Sequence, residues 1–285
     1  MNEQAAALQE YIRRANLGQL VRSRRASADH DRRIVTVSSG KGGVGKSAIA
    51  LNLGVTSGEN TLVVDGDFLL GNLGVMQNAA PETSWEDLLL GRMHWTDALH
   101  EVDHNTSLLL AESFDSERTL RRTLRSERLS TLLQEWQQHY ELIIIDTSAG
   151  LGSAVIEWCL AATHTMVVTT PDPTAITDAY ALIKTLILSE SVSQIGILVN
   201  QFLDDEEPEL VHQQLLALAR KYLDEEIACW GGIPWNETFV QSARNQTVAS
   251  LGRENTSLAQ YFARSCEALK KQNRTLNAAI AETTG

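Results

Sequence analysis

The stretch SSGKGGVGKS, residues 38–47, narrows what this chain can fold into more than any other segment. It follows a β-branched apolar run, IVTVSS, and precedes a helical pattern from Ser47 to about Ser57. Gly40, Gly45, Lys46 and Ser47 complete the spacing G-x-x-x-x-G-K-[ST]. In a strand–loop–helix setting such a loop converges its backbone N–H groups on an anionic phosphate at a helix N-terminus. The cradle runs from Gly40 through Lys41, Gly42, Gly43, Val44, Gly45 and Lys46 to Ser47 and Ala48. Lys46 adds a point charge for the outer phosphates, and Ser47 offers a hydroxyl to Mg²⁺. Lys41 is a second lysine that this spacing does not require; on its own it reads equally as a solvated loop cation.

Further apolar runs alternate with helical stretches: TLVVD, SLLLA, LIIID, TMVVTT and IGILVN. Runs apolar at every position suit strands buried on both faces. Their alternation with helices predicts a doubly wound α/β domain with a mostly parallel sheet. Helical patterns fall on RSERLSTLLQEWQQHY (125–140), on TAITDAYALIKTLILSE and on a terminal SLAQYFARSCEALKKQ. Ligands of such sheets lie beyond the carboxyl ends of the strands, where every polar motif of this sequence falls. LIIIDTSAG ends its strand in Asp146, the position of a metal-shell carboxylate when a phosphate loop is present and of a helix cap otherwise. Gly150 follows, placed for its N–H to meet a γ-phosphate. VVDGDFLLGNLG ends in Asp65 and Asp67, a solvated turn by default. Beside a phosphate loop these acids gain work on a metal's water shell and on the attacking water.

Composition sets the outer limits. The chain has 285 residues, 43% of them hydrophobic, enough for a sizeable core. No apolar run approaches the roughly 20 residues of a membrane span, and the polar start MNEQAAALQEYIRR lacks a secretory core, so a cytoplasmic protein is expected. Cys159, Cys229 and Cys266 stand far apart and form no C-x-x-C, which argues against a disulfide framework and against a zinc or cluster site, so they read as buried or idle thiols. The net charge of −12 is split between a basic arm, +3 over residues 1–33, and an acidic remainder at −15. Such a body is a poor partner for nucleic acid, and no specific nucleic-acid binding is expected. Ala5, Leu8 and Ile12 share one helical face, predicting a helix over 1–16 and a tether over 17–33. An ATPase domain over 34–272 and a tail over 273–285 complete the expected organisation.

Together KGGVGKS, DGDFLLGNLG and DTSAG resemble the deviant-Walker P-loop ATPases of the MinD/ParA class, within the SIMIBI group of P-loop NTPases. VVTTPDPTAITDAYALIKTL, GNLGVMQNAAPETSWEDLLLG and DTSAGLGSAVIEWCLAA are most similar to the flagellar-number regulators of the FlhG/FleN group. The resemblance implies a slow regulatory ATPase that converts ATP to ADP and phosphate, with ATP and Mg²⁺ as ligands, monomeric with ADP and dimeric with ATP. It places Lys41 on phosphates bound by the other subunit, and Asp67 on the attacking water. Ser47, Asp65 and Asp146 fall in the metal shell, Gly150 at the γ-phosphate, and Asn200 and Pro234 at the base. An Asn ending a strand is otherwise a common turn former.

The resemblance also implies partners: a FlhF-like GTPase, and flagellar switch or C-ring proteins or a flagellar transcription regulator. EQAAALQ is similar to the D-Q-A-x-x-L-R motif through which the group engages its GTPase, carried here by Gln4, Ala5, Leu8 and Gln9. Glu3 and Gln9 depart from that motif at its two ends. Relatives reach the membrane through a basic amphipathic C-terminal helix. Here Tyr261, Phe262, Leu269 and Leu276 alternate with Arg264, Lys270, Lys271 and Arg274, which reads either as a peripheral anchor or as a helix packed on its own domain.

Overall fold

The computed structural model describes residues 32–68, 71, 73–112, 128–189, 193–251 and 256–284, with side chains except at 243–244, 256 and 274–284. The expected arm helix, with Gln4, Ala5, Leu8 and Gln9, lies outside these residues, as do the side chains of Arg274 and Leu276.

Eight strands form one sheet: β1 (Arg33–Ser39), β2 (Thr61–Asp65), β3 (Leu99–Asp103), β4 (Thr106–Leu109), β5 (Leu142–Ala149), β6 (His164–Thr169), β7 (Gln194–Phe202) and β8 (Ala228–Pro234), in the order β3-β4-β2-β5-β1-β6-β7-β8. Every pairing is parallel except β3 with β4. The six expected strands are all present. β3 and β8 were not expected, and both are edge strands whose residues are largely half-buried. Edge strands keep only one paired neighbour and need less apolar sequence.

Between the strands lie α1 (Lys46–Thr56), α2 (Leu73–Met76), α3 (Trp85–Leu90), α4 (Arg128–His139), α5 (Ser153–Ala161), α6 (Pro173–Leu188) and α7 (Glu207–Leu223). α8 (Glu237–Arg244) and α9 (Thr256–Thr284) follow β8. Helices cover both faces, which explains the apolar runs. Along β5, Leu142 and Ile144 pack towards α1 and α9, while Ile143 and Ile145 pack towards α4 and α5. β1 runs between β5 and β6, so the chain winds outward from it in both directions. Ligand crevices of open parallel sheets form at that switch point.

The first turns of α9 belong to the core. Phe262, Cys266 and Leu269 are buried beside Ile49, Leu53 and Trp230, and Lys270 donates to the Ser57 carbonyl at 3.0 Å. Two of the apolar residues expected for an anchor are therefore spent on internal packing, which is the second of the two readings of that helix. No helix among the described residues is long and apolar enough to cross a membrane.

Candidate functional site

The loop after β1 and the first turn of α1 form the floor of the site. Gly45 caps α1 in the left-handed region, φ 91°, and no side chain caps the helix. The first N–H groups of α1 are thus left for an outside acceptor, and the helix dipole makes an anion the favoured one. Gly45 has a second reason to lack a side chain, since a Cβ there would stand 2.5 Å from Asn200 Nδ2. Gly40 is pinned in the same way: its Cβ would meet the Asp178 carbonyl oxygen of α6 at 2.1 Å. The loop is therefore braced from behind by β7 and α6.

Asn200 is fully buried, and its Nδ2 donates to the Val44 carbonyl at 2.8 Å, holding the loop, while its Oδ1 has no hydrogen-bond partner. Pro234 ends β8, next to Trp235, whose N–H donates to the Phe202 carbonyl at 2.8 Å.

Three carboxylates gather opposite α1. Asp65 and Asp146 are register partners on β2 and β5, both buried. Asp65 accepts from the N–H groups of Asp67 at 3.3 Å and Leu73 at 3.0 Å. The Ser47 hydroxyl lies close enough to the Asp146 carboxyl to favour its charged form. Burial, with the charges of Asp65 and Asp67 adding to it, pushes Asp146 up to about 7 against Ser47 and Lys46. Burial lowers Lys46, opposed by Asp146 and Asp67. Asp146 Oδ1 has no hydrogen-bond partner among the described residues. Two buried carboxylates, a third beside them, one buried ammonium and an orphaned oxygen make a site short of positive charge. A hard divalent cation with oxygen ligands fits that donor set, which Ser47, Asp146 and Asp65 would supply.

The support of these acids was not among the sequence expectations. Trp158 of α5 donates from Nε1 to the Gly66 carbonyl at 3.0 Å, and its ring stacks on Phe68 with centroids 5.2 Å apart. Trp85 closes the cluster edge-on to Phe68 at 4.8 Å. The turn carrying Asp65 and Asp67 is thus held on both sides of Asp67. An aromatic after D-G-D and a Trp in the helix after β5 were the available signals, but only the fold brings them together.

Two of the expected site residues make contacts within the chain. The Gly150 N–H donates to the Ser39 carbonyl at 2.8 Å, with φ at 93°, so it is already engaged within the chain. Lys41 turns away from its own loop: its Nζ donates to Thr174 Oγ1 at 2.6 Å and lies 3.4 Å from Asp172 Oδ1, at the start of α6.

A phosphate loop at the switch point of a parallel sheet, with a Lys46–Ser47–Asp146 constellation, defines a P-loop nucleotide hydrolase. The family profile described as ParA, NUBPL iron-transfer P-loop NTPase, matches residues 31–270, and the chain belongs to the ParA/MinD family of P-loop NTPases. It is a P-loop ATPase whose ligands are ATP and Mg²⁺. The iron transfer in that description is said of NUBPL. Antiactivator FleN of Pseudomonas aeruginosa is 26% identical over 235 residues, covering 81% of this chain and 84% of FleN. The flagellum site-determining protein YlxH of Helicobacter pylori is 30% identical over 193 residues, 66% of this chain and 64% of YlxH. The cell-division ATPase MinD of Pyrococcus furiosus superposes with a TM-score of 0.69 at 22% identity, over 84% of this chain and 99% of its own, a likeness of fold.

Proposed function

We propose that this chain is an ATP-operated dimerising switch that sets the number or placement of flagella. The observation that carries the reading is the position of Lys41. Lys46 already serves the loop's own phosphates from a buried position, whereas Lys41 is half-exposed and held outside that cradle. A cation placed this way is available to phosphates on another copy of the chain, in the manner of a charge supplied in trans. The similarity to FleN and YlxH supports the flagellar assignment.

In this reading the α1 N-terminus and Lys46 hold the phosphates, and Ser47, Asp146 and Asp65 hold the cation's shell. Mg²⁺ supplies charge neutralisation at the outer phosphates when bound. Asp67, fixed by the Trp158–Phe68 stack, positions the attacking water. Gly150 senses a γ-phosphate by giving up its bond to Ser39, and Asn200 and the Pro234 turn read the base. Dimerisation follows because ATP binds the dimer-competent state better than the other state. The arm residues Gln4, Ala5, Leu8 and Gln9 face a FlhF-like GTPase. Flagellar switch proteins or a transcription regulator, the latter in keeping with the name antiactivator, receive the signal. The protein works in the cytoplasm and at the inner membrane face, where a peripheral contact cannot use the buried face of α9.

Light scattering on Asp67→Ala in Mg·ADP and then Mg·ATP tests this reading. A monomer that doubles its mass only with ATP is the expected result. An unchanged mass would favour an ATP-stabilised binding module acting through its arm.

A further inference from the structure

On the far side of the sheet from β3, α7 and edge strand β8 bring together three donors that the nucleotide site does not use. Glu209 and His212 stand one turn apart on α7, spaced i, i+3 and so on one helix face. Cys229 stands on β8, which pairs with β7 alone. A carboxylate oxygen of Glu209, a ring nitrogen of His212 and Cys229 Sγ lie within 4.8 Å of one another.

His212 makes this more than a chance grouping. It is 9% exposed, and its Nε2 is 2.9 Å from the Ile227 carbonyl oxygen. A carbonyl only accepts, so Nε2 carries a proton, and in the neutral imidazole Nδ1 holds the lone pair. Nδ1 is buried without a hydrogen-bond partner, 3.9 Å from Glu209 Oε1. A buried acceptor with no donor is unfavourable, because it has lost its water and gained nothing in exchange. A histidine anchored to a backbone carbonyl through one nitrogen and free at the other is the usual arrangement of a metal-binding imidazole.

We propose that Glu209, His212 and Cys229 form a binding site for a zinc-class divalent cation. Imidazole nitrogen, thiolate sulfur and carboxylate oxygen are the donors of that class, with metal–ligand lengths of about 2.0–2.3 Å. Tetrahedral donors at those lengths are about 3.3–3.8 Å apart, so the three must close by about an ångström. Glu209 supplies the movement: it is 64% exposed and, among the described residues, its bonds run to its own helix, to Gln213 Nε2 at 2.6 Å and to the distant His212. Cys229 binds as the thiolate, its proton passing to solvent, and water completes the fourth position. The bound cation ties α7 to the open edge of the sheet. It lies apart from the carboxylate cluster at β2 and β5, whose oxygen donors suit a harder ion.

Titration of the full chain with Co²⁺, without nucleotide, tests the site by its thiolate-to-cobalt absorption, which an all-oxygen site does not give. One equivalent should develop the band in the wild type and in Cys266→Ser. Cys229→Ser should abolish it, and His212→Gln should weaken binding at least tenfold. No band in the wild type, or a band that survives Cys229→Ser or is unchanged in His212→Gln, overturns the proposal. A second measurement needs no variant: one equivalent of Zn²⁺ should slow alkylation of Cys229 by iodoacetamide, read by peptide mass spectrometry. Equal rates with and without Zn²⁺ would likewise overturn it.

Discussion

Thr174 holds the ammonium of Lys41, the hydroxyl oxygen accepting from Nζ at 2.6 Å across 133 positions of sequence. The same hydroxyl donates to Asp172 Oδ1 at 2.5 Å, and that oxygen caps α6 by accepting from the N–H groups of Thr174 and Ala175. The lysine proposed to act on a partner is thus tied to its own chain, and dimerisation has to break the tie.

Replacing Thr174 by Val removes the nearer of the two groups that hold Lys41, leaving Asp172 Oδ1 at 3.4 Å, and keeps both backbone bonds of the cap in place. Exposed polar and charged pairs contribute about 0.2–1 kcal/mol. Each protomer breaks one such tie on pairing, so loosening Lys41 in both should tighten the ATP-dependent dimer by up to about thirtyfold. Sedimentation of Thr174→Val in the Asp67→Ala background with Mg·ATP measures this, and an unchanged or weaker dimer would show that the tie does not oppose assembly.

The cap itself has a pH signature. The Thr174 hydroxyl, chiefly, and the Ala175 N–H hold the Asp172 carboxyl down at about 2, below its ordinary 3.8. Because the folded value is the depressed one, the contribution is fully present above about 3.8 and is lost as pH falls towards 2. The urea midpoint of the wild type should exceed that of Asp172→Ala at pH 6, and the gap should narrow below pH 4. A gap constant across that range would mean that the charge on Asp172 is irrelevant to the cap.

The phosphate loop was legible because its chemistry is local: glycines, a lysine and a serine at fixed spacing need no tertiary information. β1, β2 and β4 to β7 were legible because burial on both faces leaves runs of apolar residues. β8 was not, because Gly231, at φ 101°, and Gly232 interrupt it and an edge strand tolerates the interruption. The hold of Thr174 on Lys41 and of Trp158 on Gly66 joins residues far apart in sequence, and no periodicity encodes them. Asp172-Pro173 caps α6 in the structure, an N-cap followed by proline, and nothing local encodes that the cap faces the loop.

Two loop glycines should separate folding from function. At Gly45 an alanine meets both a left-handed φ and Asn200 Nδ2, so Gly45→Ala should cost about 1–3 kcal/mol and abolish nucleotide binding. Gly42 has neither constraint, with nothing within 4 Å of a Cβ. Gly42→Ala should therefore leave the denaturation midpoint within about 0.5 kcal/mol of wild type. If it nevertheless weakens the ATP dimer, the lost space lies between copies rather than within one, a distinction that denaturation and light scattering together resolve.

Trp158 links the stability of the site to its rate. Trp158→Phe keeps a ring against Phe68 but removes the donor to the buried Gly66 carbonyl, which should cost about 1–3 kcal/mol. Gly66 lies between Asp65 and Asp67, and its own N–H donates to the Asp146 carbonyl at 2.8 Å, so the slack falls on the acids and not on the phosphate loop. ATP affinity rests on the α1 N-terminus and Lys46 and should be nearly unchanged. Asp67, if it positions the attacking water, should lose that alignment, because a displacement of an ångström at a reacting group is enough to cost about a hundredfold in rate. Steady-state hydrolysis of Trp158→Phe should accordingly show kcat reduced with KM held. A fall in stability with kcat intact would make Trp158 a packing residue only, and would remove the Asp65–Asp67 turn from the rate-determining geometry.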